Sequence, residues 1–102
     1  MYKVVVFIPI EQADNIRRVL AEAGAGKIGS YDSASFSVRG IGRFRPLEGA
    51  NPAIGEIGEL TDVEEERVEV VVEENLLDKV LQAIGENHPY EEPAIDIYEL
   101  KD

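Results

Sequence analysis

The run Lys3-Val4-Val5-Val6-Phe7-Ile8-Pro9-Ile10 constrains the fold more than any other feature of this chain. It is short, apolar and rich in β-branched residues, the pattern of a strand buried on both faces. The next segment has a different period. Ala13, Ile16, Leu20 and Ala23 recur at helical spacing while Glu11, Asp14, Arg17, Arg18 and Glu22 fall elsewhere, which predicts an amphipathic helix over about 11–24, with Gly24 able to end it.

From Ser30 to Pro46 aromatic or apolar residues alternate with small polar ones, Tyr31-Asp32-Ser33-Ala34-Ser35-Phe36-Ser37-Val38. This predicts a second strand, interrupted by glycine in Arg39-Gly40-Ile41-Gly42-Arg43-Phe44-Arg45-Pro46. Residues 47–62 hold Gly49, Pro52, Gly55 and Gly58 among few large apolar groups, so a long ordered loop or wide hairpin end is expected at about 46–62. Val68, Val70 and Val72 against Arg67, Glu69 and Glu73 give a third strand with one wet face. Asn75 as N-cap, Asp78 in the first turn and the stripe Leu77, Val80, Leu81, Ile84 predict a second helix ending near Asn87, and Pro89 forbids its continuation. Ile95 and Ile97 against Asp96 and Tyr98 make a fourth strand.

Strand, helix, strand, strand, helix, strand is the split pattern of an α+β ferredoxin-like βαββαβ sandwich, one domain over 1–102. Both helices of such a fold cover one sheet face. Yet the first strand offers apolar groups to both faces, and Phe36, Val38, Ile41, Phe44 and Tyr98 add more large groups than one covered face needs. An exposed apolar patch of that size marks an interface, so self-association as a dimer or trimer is expected, the alternative being that the long loop folds back over the patch.

Composition narrows the partners. The 102 residues carry 21 acidic and 10 basic groups, a net charge of −11, which argues against the lysine and arginine footprint of a nucleic-acid surface and would be repelled by an anionic membrane. With no cysteine there is no disulfide and no thiolate metal site. No apolar run approaches the ~18 residues of a spanning helix, and the start leads straight into a strand, so a soluble, cytoplasmic protein is expected.

Two segments carry the chemistry. His88-Pro89-Tyr90-Glu91-Glu92-Pro93 holds the only histidine of the chain, between a helix and the last strand. His88 and Glu91 could ligate a divalent metal, although strand alternation would send Glu91 and Glu92 to opposite faces, and a second histidine would have to come from another subunit. Alternatively His88 caps the C-terminus of the preceding helix as a cation. The second segment is Gly40 to Arg45: Lys27, Arg39, Arg43 and Arg45 against Asp32 alone make residues 27–47 a positive region on an acidic chain. Arginine forks beside Gly40 and Gly42 could hold a phosphate or carboxylate, or pair with the acidic run Glu64-Glu65-Glu66. Gly40-x-Gly42 lacks the third glycine and the following helix of a dinucleotide fingerprint, and the serines have no nucleophile elbow. Nothing here specifies an enzyme.

Ala23-Gly24-Ala25-Gly26-x-Ile28-Gly29-x-Tyr31, Phe36-x-x-x-Gly40-x-Gly42-x-Phe44-x-Pro46, Asn51-Pro52-x-x-Gly55-x-x-Gly58, the acidic-basic step Glu66-Arg67 and His88-Pro89-Tyr90-Glu91-Glu92-Pro93-Ala94 together closely resemble the domain inserted in the Nif-three-like (NGG-one-interacting factor) proteins, and small proteins built from that insert alone. The resemblance implies a fold similar to the trimeric CutA and signalling PII proteins, hence a role in oligomerisation or ligand sensing. Full-length relatives carry a dinuclear metal centre on a separate domain, so their hydrolase-like activity does not transfer. Where the insert commonly has cysteine in Tyr-x-x-Cys-x-Phe, this chain has Ala34 between Tyr31 and Phe36.

Three functions are expected as alternatives: a non-enzymatic homo-oligomeric regulatory-type module binding a small ligand or divalent metal at a cleft of His88, Tyr90 and Glu91 with Gly40, Gly42, Arg43 and Arg45; a structural or protein-interaction domain without such a site; or a metal-dependent enzyme with an inter-subunit site.

Overall fold

The computed structural model describes residues 1–101. β1 (Tyr2–Pro9) passes through a short 3-10 turn into α1 (Ala13–Glu22); β2 (Phe36–Phe44) and β3 (Thr61–Val72) form a hairpin; a second 3-10 turn leads into α2 (Leu77–Asn87), and β4 (Ile95–Glu99) comes last. The strands lie in the order β2-β3-β1-β4, every neighbouring pair antiparallel. This is the α+β ferredoxin-like arrangement expected from the order of periodicities.

Register decides which side chains meet the helices. Val4 pairs with Val70 and Val6 with Val68, so these four and Ile8 and Val72 point to one face and pack with Ile16 and Leu20 of α1 and Val80 and Ile84 of α2 in a single cluster. Each large member is essentially inaccessible to water, and burying each contributes roughly 1.5–3 kcal/mol. The opposite face carries Lys3, Val5 and Phe7 of β1, Arg67, Glu69 and Val71 of β3, Phe36 and Val38 of β2, and Tyr98 of β4. Val5 is 0% exposed although no helix covers it, so β1 is buried on both faces as its sequence requires. Around it, Glu69 takes Lys3 at 3.4 Å and Arg67 at 3.1 Å, and the Arg67 guanidinium lies 5.7 Å from the Phe7 ring centroid.

Three boundaries differ from the sequence expectation. β2 starts at Phe36 rather than Ser30, because the preceding backbone groups bond locally: Ile28 and Tyr31 exchange N–H···O bonds of 2.9 Å, and Ala34 N–H bonds Gly26 O at 3.0 Å. β3 begins six residues before the valine alternation, taking in Thr61 to Glu66. Its acidic stretch is held extended by pairing with β2 on one side and β1 on the other, and buried Glu66 is neutralised on the helix-covered side by Arg17 of α1 and, at 3.8 Å, Arg39 of β2. Asn75 sits inside the 3-10 turn and α2 begins at Leu77 with no side-chain cap.

A 12-residue β3 spans about 40 Å, which is why the longest extent is 47 Å against 23 Å in the other two directions. The far half of the β2–β3 hairpin and residues 45–60 thus project beyond the helices. Gly58 N–H closes that loop onto Pro46 O at 2.7 Å.

Candidate functional site

Where α2 ends, the backbone N–H of His88 bonds Ile84 O at 2.8 Å, but the imidazole does not cap the helix. It crosses to β1, its Nε2 2.7 Å from Phe7 O, while the N–H of Tyr90 donates to Nδ1 at 3.1 Å. A carbonyl only accepts and an amide N–H only donates, so the ring is the neutral tautomer protonated at Nε2. Burial lowers the His88 pKa, against the opposing pull of the Phe7 carbonyl and the Glu65 carboxylate. The cationic cap reading is corrected accordingly: the nearest carbonyl it meets belongs to a strand.

His88 positions Tyr90. The two rings stand 5.0 Å apart, Phe44 of β2 lies 6.0 Å from Tyr90 on another side, and the Tyr90 hydroxyl donates to Glu65 Oε2 at 2.9 Å. Burial first, then the Glu65 hydrogen bond and the Glu65 and Glu11 charges, hold the phenol far above its usual pKa, so it remains a donor at any physiological pH. Glu65 points to the face away from the helices and is 8% exposed. Its carboxylate lies over Gly42: a Cβ built there would meet Glu65 Oε1 at 2.0 Å. Gly42 is needed for that close approach.

Residues 45–60 fold over this end of the sheet, tied across by Asn51 N–H donating to Glu91 Oε2 at 2.8 Å. The result is a cleft of about 810 Å³ lined by Phe7, Phe44, Tyr90 and Glu65 and by residues 45–50, 52–54, 91, 92 and 94 around them. The loop therefore covers one end of the open face and leaves Phe36 and Val38 exposed.

Of the residues singled out in the sequence, Gly42, Arg43, Arg45, Tyr90 and Glu91 line the cleft. His88 lies behind Tyr90, and Gly40 is one step along β2, opposite Glu65 in register with open space above it. Arg43 pairs with Asp62 at 3.5 Å and Arg39 with Glu66, whereas Arg45 has no ion-pair partner among the described residues. Glu91 and Glu92 both precede β4, so no strand alternation separates them. His88 spends both ring nitrogens within the protein and Glu91 accepts from Asn51; among the described residues no group of three or more His, Asp or Glu could hold a metal ion. Sequence reasoning missed Glu65, Phe7 and Phe44 as lining groups. Their signal was parity: Phe7 and Phe44 occupy positions on the face that the helices do not cover.

A sheet of this order with two helices on one face defines a ferredoxin-like α+β domain, and CutA structures share that fold. CutA1 from Pyrococcus horikoshii superposes with a TM-score of 0.73 over 100% of this chain and 85% of its own, at 18% identity. A Bacillus cereus protein related to NIF3 gives a TM-score of 0.86 at 44% identity, covering 99% of this chain and 26% of that one. Among curated proteins, a GTP cyclohydrolase 1 type 2 homolog of Halalkalibacterium halodurans is 48% identical over 100 residues, 98% of this chain and 27% of the relative. No family model matches the chain. The chain is thus a homologue of one segment of the NIF3-related proteins, and it spans about a quarter of the length of the curated relatives it matches.

Proposed function

We propose that this protein is a non-enzymatic, homo-oligomeric module that binds a small ligand in the cleft between residues 45–60, the end of the sheet and residues 90–94. One observation carries the reading: a cavity of about 810 Å³ lies in the size range of small-molecule sites and combines an aromatic floor with one nearly buried carboxylate, the composition such sites share. Tyr90, Glu91, Gly42, Arg43 and Arg45 meet the ligand, His88 holds Tyr90 from behind, and Gly40 keeps the strand beside Glu65 clear. An organic ligand fits better than a metal, because His88 and Glu91 are already engaged. Exposed Phe36 and Val38, at 65% and 48%, support self-association through the uncovered sheet face. No described helix is long and apolar enough to cross a membrane, and the net charge of −11 supports the absence of nucleic-acid partners; a cytoplasmic location is part of the same proposal.

Light scattering on the eluting peak is expected to give a dimer or trimer; a monomer removes the oligomeric half of the proposal. Thermal shift and calorimetry against a panel of metabolites, nucleotides and divalent metals test the other half. At least one organic ligand is expected to raise Tm, by an amount that Gly42→Ala abolishes as its methyl displaces Glu65. A panel without effect, or effects indifferent to Gly42→Ala, would sink the site.

A further inference from the structure

The charge of the cleft narrows its occupant, on the reading that the cleft is a ligand site. Its wall carries Arg43 and Arg45 against Glu48, Glu65, Glu91 and Glu92, and Arg43 is already shared with Asp62. Negative charge therefore prevails, and a polyanion would enter against it.

Glu65 is the more telling group. It is 8% exposed, has no cationic partner among the described residues, and receives one hydrogen bond, from Tyr90 to Oε2. Oε1 has no donor. Since no described side-chain oxygen or nitrogen is both fully buried and unpaired, Oε1 opens into the cleft that Glu65 lines. A nearly buried carboxylate with spare lone pairs and no counter-charge is costly until N–H donors reach it. Beside it stand the rings of Phe7, Phe44 and Tyr90, which favour a flat partner and, through their faces, a cationic one.

We propose that the cleft takes a planar, amino-substituted nitrogen heterocycle, neutral or cationic, whose N–H edge meets Glu65 and whose ring lies among Phe7, Phe44 and Tyr90, and that it discriminates against anionic ligands of the same shape. Arg45, exposed on the wall of the cleft and without an ion-pair partner among the described residues, donates to a single polar substituent of the ligand. Gly42 keeps the carboxylate low over the strand, so the ring has room above it.

Three probes of one shape separate the possibilities by calorimetry: 2-aminobenzimidazole, a planar cation with adjacent N–H donors; benzimidazole, without the amino donor; and benzimidazole-2-carboxylate, an anion. The amino compound is expected to bind at least about tenfold tighter than benzimidazole, the ratio a charge-assisted hydrogen bond supplies, and the carboxylate weaker than both. Glu65→Gln should bring the first two together. Tyr90→Phe, which leaves Glu65 charged and frees its second oxygen, should keep the preference and supplies the comparison if Glu65→Gln does not fold. Equal or tighter binding of the carboxylate, a preference that survives Glu65→Gln, or no binding by the amino compound overturns the proposal. The cleft itself stands or falls separately: if the wider panel yields a ligand sensitive to Gly42→Ala, the site remains and only its chemistry was misassigned.

Discussion

Gly26→Ala is expected to destabilise the fold by about 3 kcal/mol or more, a large part of the ~5–15 kcal/mol available to a domain of this kind. Two effects combine. Gly26 has φ of +85°, where an L side chain is strained by about 1–2 kcal/mol, and the new Cβ would stand 2.5 Å from Ala34 O and 2.7 Å from Ala34 N. Those atoms are backbone and cannot swing aside. They also take part in closing the loop, since Ala34 N–H bonds Gly26 O at 3.0 Å and Gly26 N–H bonds Val71 O at 2.8 Å. Relief of the clash therefore sacrifices a bond that fastens residues 26–35 to β3. In thermal unfolding the loss corresponds to a fall in Tm of roughly 15 °C. Gly40→Ala is the control: nothing lies within 4 Å of its added Cβ, and its effect should stay within about 0.5 kcal/mol. A Gly26→Ala loss below about 1 kcal/mol would mean that the loop is held less tightly than its bonds imply.

His88→Ala is expected to cost about 2–4 kcal/mol, by emptying a buried ring site and leaving Phe7 O and Tyr90 N–H unpaired. It also changes the pH dependence. The folded-state pKa of His88 is lowered, chiefly by burial, from the 6.5 that the unfolded chain retains. Above that value the ring is neutral in both states and its contribution to stability is complete. As pH falls below 6.5 the unfolded chain binds the proton first, so stability declines, by at most about 1.4 kcal/mol per pH unit, until the folded-state pKa is passed. Denaturant midpoints measured from pH 7.5 down to about 5, above the range in which ordinary carboxylates titrate, should show this decline in the wild type and not in His88→Ala. Parallel profiles for the two proteins would show that His88 is not held neutral by the fold. Protonation would also set a second N–H at Nδ1 against Tyr90 N–H, so the wall of the cleft and the stability of the domain respond to the same titration.

The periodicities of Val4 to Ile8, of Ile16 and Leu20, of Val68 to Val72 and of Val80 and Ile84 revealed the fold, because each records the burial geometry of its own element. Boundaries were less legible where a backbone choice depends on distant partners. Tyr31 to Ser35 alternates like a strand but bonds to itself, and Glu64-Glu65-Glu66 reads as a solvated run yet lies in a central strand, since β1, β2, Arg17 and Arg39 arrive from elsewhere to accommodate it. The site was legible in part. Tyr90, Glu91 and the segment Gly42 to Arg45 were marked by residue type, and the tertiary fold places them around one cleft. Glu65 was hidden among nine acids between 56 and 74, and nothing local distinguishes it from Glu64.

By itself, the sequence determined the order of elements, the burial of β1 on both faces and the acidic character of the surface, since these depend on composition and period along the chain. Only the tertiary structure decided that His88 is a neutral strut rather than a helix cap, that Glu65 is the nearly buried carboxylate of the cleft, and that the 45–60 loop closes over one end of the open face. Those outcomes depend on contacts across 25 to 81 positions of sequence, where the geometry of the sheet, rather than any local preference, selects which groups meet.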